Sequence, residues 1–174
     1  MAEFKEDPRK VLVLDDEPDI VEAMTELIQD LGYKVIATTS ANHAIDICAE
    51  QSFDTILSDI NMPEMSGFDF LSKIRSKQVD TPVVFITAAG AEKKNTTSAL
   101  RLGAFDYIEK PWTTDEMQEM LNMATEYGMR LRRLNHIVSI PDSEKSANDL
   151  KQLELDKKFL ALGPIVYNQR RNNQ

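Results

Sequence analysis

Lys10-Val11-Leu12-Val13-Leu14-Asp15-Asp16 is the stretch whose reading decides the fold. Four consecutive apolar residues end abruptly in two acids, the pattern of a buried parallel strand whose carboxyl end reaches a polar edge. The next residues have the period of a helix: Ile20, Met24, Leu27, Ile28 and Leu31 share one face, and Gly32 supplies a left-handed stop. Lys34 to Thr38 reads as a strand, and Ser40 as the cap of a helix facing inward through Ala44, Ile45, Ile47 and Cys48. Phe53 to Ser58 is the next strand, and Gly67 to Ser76 a helix with Phe68, Leu71 and Ile74 inward. Thr81 to Thr87 reads as strand, Glu92 to Leu102 as a polar-rich helix stopped by Gly103, and Ala104 to Ile108 as a short strand. A long helix starts near Thr114, with Asp115 and Glu116 at its positive end. Five strands alternating with five helices predict an α/β fold, a doubly wound five-stranded parallel sheet, because each right-handed crossover places a helix over one face.

Composition bounds the function. With 174 residues, the chain has room for one domain with a core and a modest appendage. At 42% hydrophobic and 28% charged residues it is too apolar for a disordered chain. Met1 to Lys10 holds no apolar stretch resembling a secretory signal or a membrane anchor, so the expected address is cytoplasmic, without membrane attachment. Cys48 is the single cysteine and falls in an apolar helical pattern, where a small buried side chain is expected. His43 and His136 lack metal-ligand spacing.

A formal net charge of −9 argues against non-specific nucleic-acid binding by the whole molecule. The charge is uneven: residues 1–129 carry −13 and residues 130–174 carry +4. This shift marks the expected boundary between a domain at 9–129 and a helical extension with a disordered tail at 130–174. In the extension, Leu131, Leu134 and Val138 continue the apolar period of the long helix, with Gly128 as a point of local weakness. Pro141-Asp142-Ser143 reads as a break, and Leu150, Leu153 and Leu160 as the apolar side of one more helix ending at Gly163-Pro164. Asn168 to Gln174 reads as disordered. The extension is expected to dimerise through the lengthened fifth helix, to dock this last helix, marginal alone, on a partner or on the domain's own surface, or to cover exposed core. An alternative is that Arg130, Arg132, Arg133, Arg170 and Arg171 form a basic segment that binds nucleic acid.

The chemistry is expected at the carboxyl ends of the strands, where open parallel sheets hold their ligands. The first strand ends in Asp15-Asp16, the third reaches Asp59, the fourth ends in Thr87, and Lys110 follows the fifth. Carboxylates brought this close repel one another unless a cation neutralises them. A hard divalent ion does so, and the few oxygen donors favour magnesium over calcium. Asp16 and Asp59 are the expected direct ligands, Asp15 a ligand or water-mediated orienter, and Asn61 the donor of a backbone carbonyl. Asp59, in the middle of the set, is the candidate nucleophile, since a carboxylate can attack phosphorus to give an aspartyl-phosphate. Lys110 then offers positive charge, and the Thr87 hydroxyl a hydrogen bond, to the transferred group.

Asp15-Asp16, Asp59-Ile60-Asn61-Met62-Pro63 with Gly67 following, Thr87-Ala88 and Lys110-Pro111 together resemble the receiver signature of bacterial two-component response regulators, over about residues 9–129. The specificity lies in the ordered set, since each piece alone is common. The resemblance implies a flavodoxin-like, chemotaxis-regulator-like sheet of strand order 2-1-3-4-5 and a cis Lys110-Pro111 bond. It also implies phosphotransfer to Asp59 from a sensor histidine kinase or a histidine phosphotransfer protein, magnesium dependence and slow autodephosphorylation, with no other enzymatic activity. A switch is implied as well, in which Thr87 moves toward the phosphoryl group, Tyr107 changes rotamer and contacts with a downstream protein target change. Trp112 departs from the family's more usual phenylalanine.

Two other classes fit less well. A phosphohydrolase built on an aspartyl nucleophile would carry a second acid close after Asp59, and position 61 is Asn. A dinucleotide-binding enzyme would carry a glycine-rich turn after the first strand, where Asp15-Asp16-Glu17-Pro18 stands instead.

Overall fold

A computed structural model describes residues 9–88 and 103–161. Five strands form one parallel sheet: β1 (Lys10–Leu14), β2 (Lys34–Thr38), β3 (Thr55–Asp59), β4 (Val83–Ala88) and β5 (Asp106–Lys110), in the order β2-β1-β3-β4-β5. The described helices are α1 (Pro18–Asp30), α2 (Ala41–Glu50), α3 (Gly67–Ser76), α4 (Thr114–Ser139) and α5 (Ala147–Ala161). The helix expected at Glu92 to Leu102 and the tail from Asn168 lie outside the described residues.

Because successive strand side chains alternate between faces, the sheet divides the core in two. Leu12, Leu14, Ile56 and Phe85 pack against Ala44, Ile45 and Cys48 of α2 and Phe70, Leu71 and Ile74 of α3. Val11, Val13, Leu57, Val84, Ile86 and Ile108 pack on the other side against Met24 and Ile28 of α1 and Met117, Met120, Leu121 and Ala124 of α4. Local signals set the boundaries of the elements. The Ser40 hydroxyl accepts from His43 N, and Gly32 takes a φ of +90° after α1. Thr113 and Glu116 cap α4 reciprocally, each side chain accepting from the other's backbone N–H.

Strand limits differ from the sequence reading where tertiary pairing decides them. β3 begins at Thr55, paired with Val11, and runs through Asp59; Phe53 and Asp54 precede it. β5 begins at Asp106 and includes Lys110, because the ladder with β4 continues to Ala88–Lys110. Lys110 is therefore held in a strand rather than placed after one.

The long helix α4 crosses the 129/130 charge boundary without interruption. Gly128 is no point of weakness there: it is buried, and a Cβ built on it would fall 1.8 Å from the Asp54 carbonyl oxygen. Only a residue without a side chain lets this helix lie against the backbone leading into β3. Beyond α4 the chain turns through a short 3-10 segment at Asp142–Glu144 and returns as α5, which packs on α4. Among the described residues, no helix is long and apolar enough to cross a membrane.

Candidate functional site

At the carboxyl edge of the sheet, the Lys110 ammonium lies 2.9 Å from Asp15 Oδ2 and 3.1 Å from Asp59 Oδ1. The remaining oxygens are held by backbone: Asp15 Oδ1 accepts from Glu17 N at 3.0 Å, and Asp59 Oδ2 from Asn61 N at 2.5 Å. Each carboxylate thus has one charged partner and one N–H donor two residues further along its own loop. Asp15 is fully buried, and the side chains of Asp59 and Lys110 are 12% and 23% exposed. Strand order explains the meeting: β1 and β4 flank β3, β5 flanks β4, and the parallel registers bring all their ends to one rim.

Gly67 fixes the height of this rim from below. A Cβ there would stand 2.4 Å from the Asp59 carbonyl oxygen and 2.9 Å from the Phe85 ring, and Gly67 N donates to the Ile60 carbonyl at 2.9 Å. The loop after β3 is thereby pressed onto the start of α3. The Lys110–Pro111 bond on the opposite side is cis.

Burial alone would lower the pKa of Lys110. The hydrogen bonds and charges of Asp15 and Asp59 outweigh it and hold the ammonium above its ordinary value of 10.5. A cationic group with a raised pKa stabilises the fold fully below its ordinary value, and that contribution is lost only as pH rises through the higher folded value. The clasp is therefore constant across the neutral range. Replacing Lys110 with Met should destabilise the protein by about 2 kcal/mol, below the range for fully buried pairs because the ammonium keeps some water. Urea unfolding of both chains should show a gap that is flat from pH 6 to 9 and narrows only in strongly alkaline solution.

Not every candidate joins the clasp. Among the described residues, no hydrogen bond or ion pair links it to Asp16, to the Asn61 side chain or to the Thr87 hydroxyl. Thr87 is buried on β4, one residue beyond Ile86, the partner of Asp59, and its hydroxyl donates to the Ala88 carbonyl at 3.4 Å. Tyr107, paired with Phe85, is half-buried against the α2–α3 side of the core. Among the described residues, no three His, Cys, Asp or Glu side chains converge as a ready chelate. Lys110 stands between two of the expected donors.

The donor set nevertheless suits a hard divalent ion. Two buried carboxylates share one ammonium, and half-buried Asp16 beside them has no cationic partner among the described residues, so the rim keeps net negative charge. Magnesium, which takes carbonyl and water oxygens alongside one or two carboxylates, needs no three-acid chelate.

The profile of the response regulator receiver domain matches residues 11–122. The chain belongs to this family. The response regulator SaeR of Staphylococcus epidermidis is 32% identical over 146 residues, covering 84% of this chain and 57% of that protein. SaeR of Staphylococcus aureus is 32% identical over 147 residues, covering 84% and 61%. The chain thus spans about three fifths of the length of these curated relatives. Among solved structures, a response regulator receiver domain protein from Clostridium thermocellum superposes with a TM-score of 0.63 at 31% identity, covering 68% of this chain and 94% of its own. The chemotaxis protein CheY4 of Vibrio cholerae gives 0.63 at 28%, covering 68% and 99%.

Two acids outside the rim escaped the sequence reading. Asp54, fully buried, accepts from Lys10 N at 2.8 Å and lies 3.0 Å from Arg132 Nη2. Asp156, also fully buried, is held by Arg130 and Arg133. The visible signal for Asp156 was its place on the Leu153–Leu160 side of α5. Of the arginines of the basic segment, Arg130, Arg132 and Arg133 are engaged by acids of the same chain, and Arg170 and Arg171 lie outside the described residues.

Proposed function

We propose that this receiver accepts a phosphoryl group on Asp59 from a phosphorylated histidine of a sensor kinase or phosphotransfer protein. The observation that carries the reading is the Lys110 ammonium bridging Asp15 and Asp59 at the sheet edge. Asp59 already has one oxygen oriented by Asn61 N, so little reorganisation precedes attack. An Asp59 carboxylate oxygen forms the new bond to phosphorus as the bond to the donor's imidazole nitrogen breaks, and the imidazole leaves with that electron pair. Lys110, fixed between the two acids, neutralises charge on the phosphoryl oxygens, and Asp15 keeps the ammonium in place.

Asp15, Asp16, Asp59 and the Asn61 carbonyl would hold magnesium, which when bound screens the negative charge of acceptor and donor. The same residues, with water, support slow hydrolysis of the aspartyl-phosphate. The added charge, about −1.5 to −2, draws on the Thr87 hydroxyl, and Tyr107, paired with Phe85 two residues before Thr87 on β4, follows. The output is a changed contact with a downstream protein target, and the helices beyond residue 129 offer a route to homodimers. The site requires no membrane, which fits a cytoplasmic protein.

Incubation with acetyl phosphate and magnesium should add one phosphoryl group to the intact mass. Chelation of the metal before the donor is added should slow uptake at least tenfold. A chain that stays unmodified with magnesium present would remove the reading.

A further inference from the structure

The helix α5 is attached to α4 in an unusual way. Its one fully buried residue is Asp156, whereas Leu150 and Leu155 are 51% and 48% exposed and Leu153 and Leu160 only half-buried. The Asp156 carboxylate accepts from Arg133 Nε at 2.7 Å, Arg133 Nη2 at 2.8 Å, Gln152 Nε2 at 3.0 Å and Arg130 Nη1 at 3.4 Å. Arg130 also meets Glu126 at 2.7 Å and lies 4.0 Å from the centre of the Phe159 ring. A charge cluster, rather than an apolar seam, therefore carries the register of the two helices. Such clusters specify a partner strongly and stabilise it weakly, because desolvation offsets most of the attraction. A helix of 15 residues is marginal in water when undocked.

We propose that α5 is a releasable strap fastened by Asp156, and that the α4 face beneath it, with Arg130, Arg133 and Ile137, accepts the equivalent strap of a second copy. The complement of the strap is a face every copy carries, so exchange replaces each contact with an identical one. Residues 140–145 form the link that would swing. Pro141 and the turn at Asp142–Glu144 separate the helices, and Ser146 with Asp149 caps α5 within the strap itself, so α5 keeps its own cap when it moves. Strap exchange does not require phosphotransfer at Asp59.

Charge reversal tests it in the full chain. Asp156→Arg sets a third cation against Arg130 and Arg133, and Arg133→Asp sets two acids against each other. Each variant alone should be monomeric by light scattering, with amides of residues 147–161 exchanging at least tenfold faster than in the native chain and those of residues 10–59 at native rates. Asp156→Asn, which keeps the shape, should loosen the same segment to a smaller degree. Mixed in equal amounts, the two reversed chains complement each other: the new arginine of one meets the new aspartate of the other, and Asp156 of the second meets Arg133 of the first. The mixture should form a heterodimer in which protection of residues 147–161 returns. Native exchange in Asp156→Arg, or a mixture that stays monomeric, would overturn the proposal.

Discussion

An Asp59→Asn chain should take up no phosphoryl group from acetyl phosphate and magnesium under conditions that convert the native protein, while remaining folded. The amide has nearly the shape of the carboxylate, so β3 and the Gly67 contact beneath it are undisturbed. It lacks the negative charge that makes the side chain a nucleophile, and no hydroxyl or thiol of the clasp can replace it. Lys110 keeps Asp15 at 2.9 Å, so the ammonium is not orphaned. The loss should thus be complete in intact mass, with the far-ultraviolet spectrum unchanged. Uptake by the variant at the native rate would assign the acceptor elsewhere and end the role given to Asp59.

Gly128→Ala separates two opposite expectations by sign. Helix propensity alone predicts that alanine inside α4 stabilises the chain by about 1 kcal/mol. The tertiary structure predicts the reverse, because the added methyl would fall 1.8 Å from a backbone oxygen and 2.7 Å from the carbonyl carbon of Asp54. Backbone cannot rotate away as a side chain can, so α4 or the residue 54 loop must retreat. Overpacking of this kind costs about 3 kcal/mol. The net loss of about 2 kcal/mol should lower the melting temperature by roughly 6 °C in a chain of this size. It should also loosen the Arg132–Asp54 contact one turn away. A rise in melting temperature would show that propensity governs the position.

The alternation of elements was legible because each carries its own period. The run Val11 to Leu14, the faces of α1 and α2, the Ser40 cap and the Gly32 stop are all local, and all stand in the structure as read. The candidate nucleophile and its lysine were legible for a related reason: in a parallel sheet every strand ends at one rim, so acids and an amine at successive strand ends must become neighbours. What could not be read was which of them touch. From the sequence, Asp16 is expected to take a direct part and Asp15 a direct or water-mediated one, yet only Asp15 is buried against Lys110.

The remaining differences have the same origin. Gly128 reads as a helix weakener in one dimension and is a point of close approach in three, because its neighbour, Asp54, lies far away in the chain. Arg130, Arg132 and Arg133 read as part of a basic segment, whereas folding sets Asp54 and Asp156 against them. Order of elements, polarity of strand ends and helix caps depend on residues within a few positions of one another, and the chain states them directly. The pairing of charges and the closeness of backbones depend on distances set by packing, and those exist only once the sheet and its helices are assembled.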